Sequence, residues 1–202
     1  MTAALRDQAR ERFCDTLLQV GPDATTLCEG WDAHRLAAHV WTLSYDAVAW
    51  LGIALAPFAS LTERRLDRVV QRWPYEELVA RLRQMQGFRC MPTDAWEGHR
   101  HGLGEYVVHT EDVRRANGLP SLKPDPELAR ALWLRLQVAA RQLHGRPGRP
   151  GLVVDCTDAG EGPHVVRPGA GNVVTGPVVE LLMWVYGRRQ AADVTVKPAA
   201  SA

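Results

Sequence analysis

Glu105 and His109 stand four residues apart in Gly104-Glu105-Tyr106-Val107-Val108-His109-Thr110-Glu111-Asp112, a segment whose pattern reads as helix. One helical turn puts such side chains on a common face with Cβ atoms roughly 5–6 Å apart, so a carboxylate and an imidazole can close on one divalent cation. His39 offers a third donor, because it falls at helical spacing from Leu36, Val40 and Leu43 and points inward with that apolar stripe. Two imidazoles and one carboxylate leave a coordination position free for water or substrate, the donor pattern of catalytic rather than structural zinc. Taken alone, the pair also fits a surface couple, and the inward histidine fits a satisfied core residue. Periodicity does not show whether the two helices meet.

Several neighbours bear on this set. Asp112 shares the face of Glu105 and His109, where it either orients His109 from behind or pairs with Arg114 or Arg115. Gly98-His99-Arg100-His101 brings two more imidazoles just ahead of the same segment, and an exposed polar loop is expected there, from which either could swing inward. His34 is expected at the surface, away from the His39 stripe.

The elements that must carry these residues are mostly helical. Leu5, Ala9, Phe13, Leu17 and Val20 repeat at helical spacing and stop at Gly21-Pro22. A second helix is predicted from Asp32 through His39 and Trp50 toward Pro57, a charged one over Thr62–Arg72, and another restarting at Trp73-Pro74. The segment bearing Glu105 and His109 ends near Asn117-Gly118, and Asp125-Pro126-Glu127 supplies a cap, a first-turn proline and an acidic first turn for the next helix. From Gly145 to Gly151 the chain is rich in glycine and proline. Beyond it, strands are predicted at Leu152–Cys156, His164–Arg167, Asn172–Val174 and Asp193–Val196, with a helix over Val178–Gln190. The expectation is an α+β protein, with a helical bundle over residues 1–144 and a small α/β domain over residues 151–197.

Composition narrows the partners. The chain has 202 residues, 46% of them hydrophobic, and a formal net charge of +1, which favours neither disorder nor a polyanion-binding surface. Nucleic acid is therefore not an expected partner. The first ten residues alternate charge with apolar groups and lack the apolar core of a signal peptide, so a cytoplasmic location is expected. The longest apolar stretch, Ala47–Ala59, is broken by Gly52 and Pro57 and is too short for a span of about 20 residues. Cys14, Cys28, Cys90 and Cys156 have no Cys-x-x-Cys spacing and are expected as free, buried thiols.

Taken in order, four segments carry a resemblance. They are Leu27-Cys28-Glu29-Gly30-Trp31 with Leu36-Ala37-Ala38-His39; Glu105-Tyr106-Val107-Val108-His109 running into Asp112-Val113-Arg114-Arg115-Ala116; Glu180-Leu181-Leu182; and Tyr186-Gly187-Arg188. Together they resemble the mycothiol-dependent maleylpyruvate isomerase family of the DinB-like superfamily. The resemblance implies a DinB-like four-helix bundle followed by a small α/β domain, and a metal triad at His39, Glu105 and His109. It also implies a divalent ion, zinc being the expected one, with mycothiol as thiol cofactor or cosubstrate. A metal-bound thiolate would attack an electrophilic small molecule. In an isomerase the adduct permits rotation about a former double bond and then releases the thiol; in an S-transferase the adduct is the product. Arg188 matches a position where the family contributes a basic residue to its active site, suited to a carboxylate of substrate or thiol. A helix-end arginine complementing the dipole is the other reading of Arg188. Arg167 and Arg189 are weaker alternatives for the same role.

Two other classes stay open at this point. One is a different DinB-like metal-dependent enzyme, a hydrolase or a transferase using another small thiol. The other is a non-catalytic bundle that binds a partner, which an intact three-donor set disfavours because buried imidazoles and carboxylates need partners.

Overall fold

The structure, a computed structural model, describes residues 2–49 and 59–199. The chain forms two compact units, Met1–Ser121 and Leu122–Ala202. Among the described residues there are eight helices and one four-stranded sheet, an α+β fold.

The first unit is helical: α1 (Thr2–Val20), α2 (Ala33–Tyr45), α3 (Ala59–Arg72), α4 (Tyr75–Arg83), the short α5 (Pro92–Trp96) and α6 (Arg100–Ala116). α1 lies along α6 and α4, while α2 packs on α3, α4 and α6. The apolar repeat of α1 faces inward, with Leu5, Ala9, Phe13 and Leu17 all buried, and the helix stops where Gly21 takes a left-handed φ of 87°. Phe13 meets Tyr106 of α6 at a ring separation of 6.1 Å, and Leu36, Leu66, Leu78, Leu82 and Leu103 complete a core in which each side chain is fully covered. Burying one such leucine is worth roughly 1.5–3 kcal/mol, so this packing fixes α2 against α6.

α2 opens on Asp32, whose side chain accepts from the backbone N–H of Arg35 at 2.7 Å. It ends at Tyr45 rather than running on through Trp50. Asp46 turns the chain by accepting from the backbone N–H groups of Val48 and Ala49, and Arg65 of α3 holds the same carboxylate at 2.6 Å. The rest of that expected helix, toward Pro57, lies outside the described residues. His34, expected at the surface, is half-buried: its Nε2 lies 3.2 Å from the Trp73 carbonyl, and its ring meets Tyr75 edge-on.

The second unit begins with α7 (Pro126–His144), capped by Asp125 and packed on α8 (Val178–Val185) and on the strand His164–Arg167. The glycine- and proline-rich run after Gly145 therefore lies inside this unit, joining α7 to the sheet. The strands β1 (Gly151–Cys156), β2 (His164–Arg167), β3 (Gly171–Gly176) and β4 (Thr195–Ala199) order as β2-β1-β3-β4, with β1 and β3 parallel and the outer pairs antiparallel. Gly151 and Gly171 face each other at the start of β1 and β3, where a Cβ on Gly171 would collide with the Gly151 carbonyl. α8 is shorter than predicted, ending at Val185, because Gly187 adopts φ 93° and lets the Arg188 N–H close back on the Met183 carbonyl at 2.8 Å. β4 starts later than predicted, at Thr195, since the Asp193 N–H is taken by the Glu180 carboxylate at 2.9 Å. No helix among the described residues is long and apolar enough to cross a membrane.

Candidate metal centre

α2 supplies His39, and α6 supplies Glu105 and His109. One ligand atom from each of the three lies within 4.8 Å of the others. The two imidazoles meet edge to face, with ring centroids 5.2 Å apart, and the Glu105 Oε2 atom is 3.5 Å from His109 Nε2. Donor atoms around a tetrahedral zinc, with bonds of about 2.0–2.1 Å, stand about 3.4 Å from one another. The Glu105–His109 separation of 3.5 Å matches that spacing, and His39 brings a third donor atom within 4.8 Å of both.

The backbone before α2 is pinned to the same place. The Thr26 hydroxyl donates to the Trp31 carbonyl at 2.9 Å, the Leu27 N–H donates to the Asp112 carbonyl of α6 at 3.1 Å, and Gly30 takes the left-handed φ of 76° that this tight turn requires. Trp31 is thereby set against His39 at a ring separation of 5.0 Å, covering one side of that imidazole.

Behind the cluster, Asp112 is fully buried and its Oδ2 lies 2.9 Å from His109 Nδ1. This contact orients the ring and leaves Nε2 to face Glu105. Arg115, one of the two arginines considered as a partner for Asp112, donates to the buried Glu111 at 2.8 Å, and Arg114 donates to the Pro120 carbonyl at 2.7 Å. The Cys28 thiol donates to Asp112 Oδ2 at 3.3 Å, so Cys28, Asp112 and His109 form a second tight set of donor atoms that shares His109. The expectation was a buried free thiol at each cysteine; Cys14 and Cys156 are buried, Cys28 and Cys90 only half-buried, and nothing in the spacing of Cys28 signalled its contact with Asp112, which depends on the pinned loop.

Charge distribution follows from this arrangement. Burial drives the Glu105 carboxyl upward, but hydrogen bonds from His101 and His109, together with their charge, outweigh it and hold the group well below the usual carboxylate range. Burial likewise opposes a charged His109, yet hydrogen bonds with Asp112, Cys28 and Glu105 raise it well above the ordinary imidazole value. Without a cation, the proton on His109 balances the carboxylates around it. A divalent ion would replace that proton.

His101, like His34, lies elsewhere than the sequence reading placed it. It belongs to α6 rather than to an exposed loop, its side chain is only 12% exposed, and its Nε2 lies 3.5 Å from Glu105 Oε1. His101, Glu105 and His109 fall at i, i+4 and i+8 on one helical face. That spacing was visible, but the helix was read as starting at Gly104, with His101 in a polar loop ahead of it. His99 caps α6 in a left-handed conformation (φ 70°), and its Nδ1 contacts Asp94 at 3.0 Å and Arg6 at 2.9 Å, so it braces the helix start. Arg188 lies in the second unit, just past α8, with its guanidinium donating to the Tyr186 carbonyl at 2.7 Å.

No family model and no curated protein matches the chain. Two solved structures do, the mycothiol-dependent maleylpyruvate isomerase, with TM-score 0.64 and 17% identity, and a histidine-to-alanine mutant of that enzyme, with TM-score 0.61 and 18% identity. Each match covers 97% of this chain and 91% of the other. At such identity the likeness speaks for the fold alone: this chain has the α+β fold of the mycothiol-dependent maleylpyruvate isomerase, with a helical unit followed by an α/β part.

Proposed function

We propose that this protein is a metal- and thiol-dependent enzyme acting on a small electrophile, as an isomerase or an S-transferase, with His39, Glu105 and His109 holding a divalent cation. The observation that carries the proposal is the convergence of these three side chains from two helices, in a chain sharing the fold of a mycothiol-dependent isomerase. Zinc is the ion that two imidazoles and one carboxylate favour. Bound there, it would lower the pKa of a coordinating thiol, so that the thiol is a nucleophile near neutral pH.

The chain's own residues do the rest. Asp112 holds His109 Nδ1–H and so keeps the Nε2 lone pair on the donor side. Glu105 supplies a full negative charge to the set. Trp31 shields the His39 face from water. Mycothiol is the proposed thiol and a small electrophile the proposed substrate. Arg188 is the proposed catalytic cation for a carboxylate on either.

Two imidazoles and a carboxylate also serve zinc hydrolases, which gives the alternative outcome a clear signature. The test is to incubate the metal-loaded protein with mycothiol and a panel of electrophiles, with and without chelator, and to follow products by mass spectrometry. Chelator-sensitive isomerisation or S-conjugation that depends on mycothiol is expected. Chelator-sensitive hydrolysis without any thiol would replace this reading with a hydrolase.

A further inference from the structure

Glu105 is gripped at both ends. Its Oε2 faces His109 Nε2 and its Oε1 faces His101 Nε2, each at 3.5 Å. The carboxylate therefore lies between one imidazole that belongs to the metal set and one that does not. His101 is itself held from behind, since Thr93, in the first turn of α5, places its hydroxyl 2.7 Å from His101 Nδ1. Glu97 Oε1 stands 3.8 Å from the same nitrogen. If the Thr93 hydroxyl donates to Nδ1, the ring proton sits on Nε2 and points at Glu105 Oε1.

The helix start that makes this possible is built for it. Asp94 of α5 accepts from the Gly102 N–H at 2.6 Å, and a Cβ at position 102 would stand 2.9 Å from that carboxylate's Oδ1 and 2.5 Å from a ring carbon of Phe88, just ahead of α5. Only glycine lets α5 come this close to α6, and that approach delivers Thr93 to His101.

We propose that His101, anchored by Thr93, is a positioning residue: it holds one oxygen of Glu105 so that the carboxylate offers the metal only the other. The inference rests on the metal-site reading above. Its consequence concerns the open position. A carboxylate free to turn can bind through both oxygens and fill the place a thiol would take, whereas one held through Oε1 leaves that place open. Thr93, His101 and Glu105 thus mirror Cys28, Asp112 and His109 on the other side of the same cluster.

The test uses the full chain loaded with zinc or with cobalt(II). Zinc affinity is measured by competition with a chromophoric chelator, the visible cobalt spectrum reports coordination number, and circular dichroism reports folding. His101→Ala should weaken zinc binding about 10–100-fold, the range that loss of an outer hydrogen-bond partner costs. Its cobalt absorption should fall as the site gains a fifth bond. His101→Gln, whose amide can still donate to Oε1, should recover most of both. Thr93→Val should weaken binding in the same direction but less, and it carries the test if His101→Ala does not fold. Wild-type affinity and spectrum in His101→Ala, or in Thr93→Val in its place, overturn the proposal. Complete loss of metal in both His101→Ala and His101→Gln overturns it too, since His101 would then be a direct ligand. If the wild-type protein itself takes up no metal, the metal-site reading has failed, a result distinct from either of these.

Discussion

His39 of α2 and His109 of α6 meet edge to face, with their ring planes at 84° and their centroids 5.2 Å apart. Residues so distant in sequence are joined here because Trp31 and the pinned loop before α2 press His39 toward α6, and Asp112 turns His109 to face it. Replacing either imidazole should therefore cost metal binding more than replacing any supporting group. His39→Ala and His109→Ala are each expected to lose more than the roughly 10–100-fold that an outer partner contributes. Elemental analysis after dialysis, with chelator competition, checks this.

Asp112→Ala should retain the fold and still bind metal, but with affinity down about 10–100-fold. Because Asp112 is fully buried and contacts both His109 and Cys28, Asp112→Asn should fall between the variant and wild type. Equal losses in Asp112→Ala and His109→Ala would make Asp112 a ligand rather than a support.

The helices matter as much as the ligands. Leu103 is fully buried in the packing that sets α6 in the bundle, and Leu103→Ala should destabilise the protein by about 2–5 kcal/mol. Urea denaturation of the metal-free protein measures it, and a loss below that range would mean that the core closes readily around the missing side chain.

pH should act on metal binding through His109. Its pKa is raised in the metal-free protein, so the folded chain keeps this proton above the pH at which the unfolded chain gives it up. The proton's contribution to the stability of the metal-free protein is thus complete below the ordinary imidazole pKa and is lost as pH rises through the raised value. Metal binding runs the other way, since the ligand must be neutral: apparent affinity should climb with pH until His109 has lost its proton, then level off. Glu105, held low, is already ionised over this window and adds no proton of its own. Calorimetry in buffers of differing ionisation heat should find about one proton released per ion below the His109 pKa.

Arg188→Ala should leave metal content unchanged. If the guanidinium pairs with a carboxylate of thiol or electrophile, the variant will show a raised KM for that partner, or a lowered kcat where the contact strengthens in the transition state. Steady-state kinetics at subsaturating thiol and at subsaturating electrophile decide it. Wild-type behaviour in both would leave Arg188 as a helix-end charge bonded to the Tyr186 carbonyl.

Much of this fold was legible where local rules act alone. The α1 repeat, the Asp32 and Asp125 caps and the strand at Leu152–Cys156 follow from periodicity and capping, and the structure shows each of them. The pairing of Glu105 with His109 was readable because it needs only one helical turn. The errors arose where distant residues override local pattern. α2 stops early because Asp46 gains an ion pair from Arg65 of another helix. His101 was read as loop because isolated histidines are common in exposed loops, yet it lies on α6, where Gly102 admits Phe88 and Asp94. Cys28 gave no sign of its contact with Asp112, which exists only once the Leu27 N–H has found the Asp112 carbonyl.

The most direct measurement is a calorimetric titration of the metal-free wild-type protein with zinc at neutral pH, set beside the same titration of His109→Ala. One ion bound tightly by the wild type, with that binding abolished in a His109→Ala protein that is still folded, is the expected result. No uptake by the wild type, or undiminished uptake by the variant, would contradict a metal centre at His39, Glu105 and His109.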